Sequence, residues 1–318
     1  MRAFILAGGF ATRLWPLTEK RAKPLLPLAG KPLVDHLIDQ LPKEIPVTVS
    51  INAAFAESFE RWKTTNSHSR VEIVVEEARK DTEKLGALGA VAQWVTERKI
   101  DDDILLLTGD NYCGFPINDV LAAYQPGTPI IAAHALSDIA MASAFGTIIP
   151  ATDGKTVQAF EEKPALPKSA LVSTGISIIP SRHLAVLVDY AKTKPDNIGG
   201  IFEEFLRRSI AVEYRAFTEP WFDIGSFEAY LEATRAIVGE HVHLGQEAIC
   251  VTTKTEGSVV LGNRSSVRNS TLENVILFED CTVEDCVLSD CIIDDHCNLK
   301  GIDLSKQMLR EGTVLRKA

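Results

Sequence analysis

Residues 265–280, SSVRNSTLENVILFED, align with residues 281–296, CTVEDCVLSDCIIDDH, at a period of 16. Val267 falls on Val283, Leu272 on Leu288, Ile276 on Ile292, Leu277 on Ile293 and Val283 on Leu299. A repeat this short cannot bury its apolar residues alone, so successive copies must stack into a coil. The preceding period is fainter, with Val251, Val259, Val260 and Leu261 in the same phases, so about three turns of β-helix are expected. The tail is placed at 249–318, including a C-terminal cap, after a boundary near 240–248 that follows the helical stretch Phe227 to Val238.

Upstream the pattern is different. Ala3 to Leu6, Val47 to Ile51, Val71 to Val75 and Ile104 to Leu107 read as strands, the last apolar throughout, as for a strand buried on both faces. Between them lie helical periods: Leu33, Val34, Leu37, Ile38 and Leu41 after Pro32; roughly 55–64; and Ala87 to Val95. This βαβαβαβ order predicts an α/β fold. The expected architecture is a Rossmann-like, mostly parallel sheet with helices on both faces over residues 1–240. A short C-terminal left-handed β-helix follows it.

A net charge of −10 over 318 residues argues against nucleic acid as a partner. An anionic substrate must then be met by local basic groups. No run approaches the ~18 apolar residues of a membrane span, and the N-terminus does not read as a signal peptide. With six cysteines and no such signal, reduced thiols and a cytoplasmic location are expected. Cys281, Cys286, Cys291 and Cys297 suggest a metal cluster, but the 16-residue period stacks them on one another or on Ser265, Ser270 and Val275, which makes them core filling.

The most informative segment is 6–32. A strand ends at Leu6-Ala7-Gly8-Gly9, where missing side chains let backbone N–H groups approach phosphates. Arg13 and Lys23 follow. Residues 2–31 carry Arg2, Arg13, Lys20, Arg21, Lys23 and Lys31 against a single acid, Glu19, in an otherwise acidic chain. The bland alternative is a basic surface loop. Neither G-x-G-x-x-G nor G-x-x-x-x-G-K-[ST] is present here.

This segment resembles the signature of sugar-1-phosphate nucleotidyltransferases, L-A-G-G-x-G-T-R-L-x-P-x-T followed by P-K-P. That family includes glucose-1-phosphate thymidylyl- and uridylyltransferases and mannose-1-phosphate guanylyltransferases. Ala11 stands at the third glycine and Ala22 at the proline before the lysine. Further segments match in order. Leu107-Thr108-Gly109-Asp110 and Trp221-Phe222-Asp223-Ile224-Gly225 resemble the two segments whose aspartates bind Mg²⁺. Glu162-Lys163-Pro164 resembles E-K-P, whose glutamate and lysine hold sugar hydroxyls and sugar phosphate. Phe145-Gly146 and Ser173-Thr174-Gly175 resemble segments beside the sugar, and Leu85-Gly86-Ala87-Leu88-Gly89-Ala90 one near the base.

The resemblance implies an enzyme that joins a nucleoside triphosphate to a sugar 1-phosphate and releases pyrophosphate, with Mg²⁺ as cofactor. It assigns catalysis to Arg13, Lys23, Asp110 and Asp223. It assigns nucleotide binding to Leu6, Ala7, Gly8, Gly9, Arg13, Lys23 and Gly86. Sugar-phosphate binding falls to Gly146, Glu162, Lys163 and Thr174, and the metal to Asp110 and Asp223. The alternatives are a catalytically silent regulatory subunit of such an enzyme, or a bifunctional enzyme with an acyltransferase tail. Three coils are too few for the second, so the tail is expected to join copies of the chain into a homo-oligomer. Base and sugar stay open.

Overall fold

The computed structural model describes residues 1–65, 68–78 and 83–317. The chain forms two compact units: Met1–Gly9 with Leu37–Trp221, and Phe10–His36 with Phe222–Ala318.

The first unit is built on a nine-stranded mixed sheet. Its parallel part contains the four strands expected from the sequence, ordered Ile104–Thr108, Arg2–Leu6, Val47–Asn52, Val71–Glu76. Leu6 lies opposite both Thr108 and Ser50, so these strands end along one carboxyl edge. Beyond Ile104–Thr108 the sheet continues in antiparallel strands, Leu171–Ile179, Gly146–Pro150 and Val157–Glu162.

Ala3, Phe4 and Ile5 are all fully buried, as are Ile104, Leu105 and Leu107, so both faces of the central strands are covered. On one face Phe4 and Leu106 pack with Leu88, Val91 and Trp94 of the helix Ala87–Arg98 and with Phe202 and Phe205 of the helix Gly200–Arg207. The first of these helices runs one turn past its expected end. It stops where Lys99 turns left-handed (φ +52°) and donates its N–H to Val95 O.

The second unit carries the coil. Ile249–Val251, Ser266–Arg268, Thr282–Glu284, Asn298–Lys300 and Val314–Arg316 form one parallel ladder. Val242–Leu244, Val259–Leu261, Thr271–Leu277, Val287–Ile293 and Asp303–Leu309 form another. The 16-residue register appears as read, with Val267 on Val283 and Leu272 on Leu288.

Each coil turns at left-handed corners five residues apart: Arg264, Asn269 and Asn274; then Asp280, Asp285 and Asp290; then His296, Gly301 and Lys306. Asn, Asp and Gly dominate because they tolerate this conformation best. Two expectations need correction. The stack is longer than three turns, beginning at Val242 and ending at Arg316. Cys250, not Val251, sits on Val267, because the first coil has an extra residue between Gly257 and Val260 that shifts its earlier register to 17; Val251 is exposed.

The cysteines fill the coil. Cys281, Cys286, Cys291 and Cys297 are buried among Val283, Leu288 and Leu299. Their thiols donate to backbone carbonyls, as Cys281 Sγ does to Asp294 O at 3.1 Å and Cys297 Sγ to Arg310 O at 3.2 Å.

Candidate active site

In the first unit the glycine turn leaves the sheet at its carboxyl edge. Ala7 N–H donates to Ser50 O at 2.8 Å, Gly109 N–H donates to Leu6 O at 2.8 Å, and Gly8 O accepts from Asn52 Nδ2 at 2.8 Å. A Cβ on Gly8 would stand 3.3 Å from Glu76 Oε1. That carboxylate accepts from Ser50 Oγ at 3.0 Å, and burial pushes its pKa upward. Leu6, Ala7 and Gly8 are thus fixed by strand bonds, with Asn52 and Glu76 as supports that the sequence reading did not pick out. Their only signal was position, at the ends of adjacent strands.

Asp110 follows the neighbouring strand. Its Oδ1 accepts from Asn111 Nδ2 at 2.9 Å, and the same amide reaches Thr108 Oγ1 at 2.7 Å. Gly175, at φ +79°, crosses so close to Thr108 that any Cβ would collide with that hydroxyl. Thr174 needs a correction. It is fully buried, and its hydroxyl donates to Ala132 O at 2.9 Å while its carbonyl accepts from Trp221 Nε1 at 3.1 Å. It shapes the strand and offers no side chain to a sugar.

Glu162 and Lys163 lie at the end of the strand Val157–Glu162. The Glu162 carboxylate is wedged between two backbones. A Cβ on Gly146 would come 2.9 Å from its Oε2, and one on Gly199 would overlap it. Burial raises the Glu162 pKa; Lys163 opposes the rise and Glu203 adds to it. The Glu203 carboxylate also accepts from Glu162 N–H at 2.9 Å. Lys163 adopts φ +47° and donates its N–H to Phe145 O at 3.1 Å, which ties the E-K-P turn to the Phe145-Gly146 pair. Gly199 and Glu203 carried no sequence signal.

Gly86 has a packing reason to be glycine. At φ +82° its missing Cβ would stand 2.5 Å from Pro195 O, which accepts from Leu88 and Gly89 N–H at 2.8 and 2.9 Å.

The remaining site residues belong to the second unit. Lys23 is buried, and its Nζ lies 3.0 Å from Asp223 Oδ1. A Cβ on Gly225 would sit 3.3 Å from Arg13 Nη2 and 3.5 Å from Asp223 Oδ1, so the guanidinium and the carboxylate both flank Gly225. Ser226 accepts from Ala229 N–H at 3.1 Å and caps the helix Phe227–Val238, so capping does not occupy Asp223. Ala11 has φ +45° and ψ +48°, the left-handed region where glycine is preferred. Its carbonyl accepts from Leu14 N–H at 3.1 Å and Thr18 Oγ1 at 3.0 Å.

Among the described residues no group of three or more His, Cys, Asp or Glu side chains could cage a metal. Single carboxylates fit a small hard cation that takes few protein ligands and completes its shell with phosphate oxygens and water.

The sequence profile of the family described as nucleotidyl transferase matches residues 2–240. The chain belongs to this family. Among its relatives, the mannose-1-phosphate guanyltransferase beta-A of Xenopus laevis is 26% identical over 262 residues, covering 77% of this chain and 69% of that protein. The glucose-1-phosphate thymidylyltransferase of Streptomyces antibioticus is 26% identical over 287 residues, covering 85% and 75%. A solved Bacillus anthracis structure assigned to glucose-1-phosphate thymidylyltransferase superposes with a TM-score of 0.64 at 21% identity. It covers 74% of this chain and 94% of that one, and supports the fold. Nucleotidyltransferases of this family generally use a divalent metal.

Proposed function

We propose that the chain is a sugar-1-phosphate nucleotidyltransferase, converting a nucleoside triphosphate and a sugar 1-phosphate into a nucleoside-diphosphate sugar and pyrophosphate. The observation that carries this reading is the Lys23–Asp223 pair, which joins motifs 200 residues apart, with Arg13 flanking Gly225 beside it. A sugar-phosphate oxygen attacks the α-phosphorus in line, and pyrophosphate leaves. The attacking phosphate is already ionised near neutral pH, so no general base is needed. Catalysis is then positioning and charge neutralisation.

Gly8 and Gly9 let backbone N–H groups approach the triphosphate. Arg13 offers forked donors and Lys23 a point charge to the departing pyrophosphate. Lys163 aims the sugar phosphate, and Glu162 accepts from sugar hydroxyls. Asp110 and Asp223 are the carboxylates assigned to Mg²⁺, which when bound offsets the phosphate charge. The silent regulatory alternative is disfavoured because Arg13, Lys23, Asp110, Lys163 and Asp223 are all retained.

The relatives transfer different nucleotides, so base and sugar are left to experiment. A matrix of four nucleoside triphosphates against several sugar 1-phosphates, read by pyrophosphate release, tests the reading; no release from any pair would overturn it. Among the described residues no helix is long and apolar enough to cross a membrane, and all six cysteines are free thiols, which suits a cytoplasmic enzyme. A homo-oligomer through the coil fits its first turn, where Val242, Leu244, Ile249 and Val251 are exposed beside open strand edges. Light scattering that finds a monomer would overturn that part.

A further inference from the structure

Three consecutive residues of the signature segment each meet opposite charge on the coiled tail. Glu19 Oε2 lies 3.0 Å from Arg310 Nε, and Lys20 Nζ lies 3.2 Å from Glu311 Oε2. Arg21 forks: Nη1 is 3.2 Å from Asp294 Oδ1, and Nη2 bonds Asp295 Oδ2. The order on the segment, one acid and then two bases, is answered by Arg310, Glu311 and the Asp294-Asp295 pair, so every contact joins opposite charges.

The pairs are unequal. Lys20–Glu311 is solvent-exposed, and such pairs hold little by themselves. The Arg21 fork is largely enclosed. The Asp294 side chain is 8% exposed, that of Arg21 25%, and the guanidinium stands 5.3 Å from the centre of the Phe278 ring. A planar fork on two carboxylates fixes orientation as well as distance, which an ammonium cannot do. Other contacts extend the seam. Arg310 lies 5.0 Å over the Trp15 ring, and Tyr230 OH donates to Pro27 O at 2.5 Å. The segment is therefore pinned to its own unit on both sides of Lys23, and Arg21 is only two residues from that lysine.

We propose that Arg21 is a positioning residue for nucleotidyl transfer. Held by Asp294 and Asp295 of the tail, it sets the backbone from which Arg13 and Lys23 reach the triphosphate, so the tail helps build the nucleotide site of its own chain. The inference rests on the roles given to Arg13 and Lys23 above. Displacing a charged donor by about an ångström can cost up to a hundredfold in rate, so the clamp has catalytic leverage without touching substrate.

The test uses the full-length protein and the variants Asp295→Asn, Arg21→Gln, Arg21→Lys and the Asp295→Asn/Arg21→Gln double. Arg264→Gln is the control, because it breaks exposed pairs of the tail, with the Glu279 and Asp280 carboxylates, and leaves Arg21, Asp294, Asp295 and the Glu279 N–H bond to Asp295 in place. Two readouts are taken: steady-state constants for each substrate, and hydrogen exchange of the peptide spanning 10–25. Asp295→Asn and Arg21→Gln should each lower kcat/KM for the nucleotide by about tenfold, leave the sugar-phosphate KM within about twofold, and speed exchange in 10–25.

The double variant should be little worse than Arg21→Gln alone, since that variant already removes the Asp295 pair along with the Asp294 one. Arg21→Lys should recover only part, and Arg264→Gln should change neither readout. If Arg21→Gln fails to fold, Asp295→Asn carries the test, because the amide keeps the size and an accepting oxygen. Wild-type exchange and kinetics in Asp295→Asn would overturn the proposal, as would equal losses for both substrates with exchange unchanged. Absence of pyrophosphate release from the wild type would sink the assigned function instead, and the exchange comparison would still decide the clamp.

Discussion

Gly9 and Arg13 are four residues apart, yet the chain holds them by different means. Leu6 to Gly8 are fixed by backbone hydrogen bonds to Ser50 and Gly109 and by the Asn52 amide, all at the carboxyl edge of a buried parallel sheet. From Phe10 onward the same motif belongs with residues 222–318, and charged side chains supply much of what holds it. The first mode rests mainly on backbone bonds, with one side-chain amide, and carries no ion pair for salt to screen. The second depends on a handful of carboxylates and guanidinium groups. The loop proposed to hold the triphosphate is thus tied through its backbone at Gly8 and by ion pairs at Arg21 and Lys23.

Breaking the second mode at its centre should have the largest effect. Asp223→Asn leaves the buried Lys23 ammonium beside a neutral amide and removes an oxygen ligand assigned to the metal. Turnover measured by pyrophosphate release should fall on the order of 100- to 1,000-fold, as for removal of one preorganised charge partner. Near-normal magnesium-dependent turnover would take Asp223 out of the site and leave the Lys23 pair as a structural contact.

The next effect sharpens the comparison by substrate. Glu162, Lys163 and Gly146 all belong to the first unit, and Arg13, Lys23 and Asp223 to the second. Lys163→Ala should raise the sugar-phosphate KM by about tenfold or more, the equivalent of at least one charge-assisted hydrogen bond, with the nucleotide KM little changed. A rise confined to the nucleotide KM would reverse the two phosphate subsites.

Much of this was legible in the sequence, for identifiable reasons. The four parallel strands announced themselves as apolar runs, and the coil as a 16-residue period, because both put the same side-chain face in the core at regular steps. The corner residues of the coil carried a second pattern, steps of five, five and six that sum to the 16-residue period, visible in Asn269, Asn274, Asp280, Asp285 and Asp290 but masked by Arg264, His296 and Lys306. Val251 was misplaced by one because a single extra residue changes register without changing composition. The residues proposed for catalysis came from motif chemistry. Their supports did not: Asn52, Glu76, Gly199 and Glu203 matter through distance to a backbone or a carboxylate, and sequence spacing does not encode that. The tail's ion pairs lay equally beyond reach, since Lys20 and Arg21 counted only toward the basic excess of residues 2–31 and nothing in the spacing matched them to Glu311, Asp294 or Asp295.

A smaller effect concerns pH. Burial pushes the Asp294 carboxyl up to about 6 against the pull of Arg21, with Asp295 and Glu311 adding to the rise. A carboxyl raised on folding binds its proton more tightly in the native state, so the folded protein carries more protons than the unfolded chain between about pH 4 and 6. Stability should therefore fall as pH rises through that window, by roughly 3 kcal/mol at most for this one group. Asp294→Asn should flatten that part of the curve in urea titrations run at intervals from pH 4 to 7. An unchanged slope would show that Arg21 fully offsets the burial of Asp294.

The smallest effect is expected where the signature departs from its family. Ala11 sits at φ +45°, ψ +48°, on the low-φ edge of the left-handed basin. Alanine costs about 1–2 kcal/mol there relative to the right-handed region. Glycine would remove that cost but bring a larger loss of chain entropy on folding, roughly 0.5–1 kcal/mol. The two terms nearly cancel, so Ala11→Gly should stabilise by no more than about 1 kcal/mol. Geometry argues the same way for activity. The Ala11 carbonyl is already held by Leu14 N–H and Thr18 Oγ1, and Arg13 follows in the 3-10 turn Thr12–Leu14. Removing the methyl leaves those bonds in place, so kcat/KM for the nucleotide should stay within about threefold, under 1 kcal/mol of barrier. A tenfold gain in Ala11→Gly would mean that the methyl itself crowds the triphosphate. The nucleotide side of the site would then be limited by bulk at Ala11 rather than by the charges of Arg13 and Lys23.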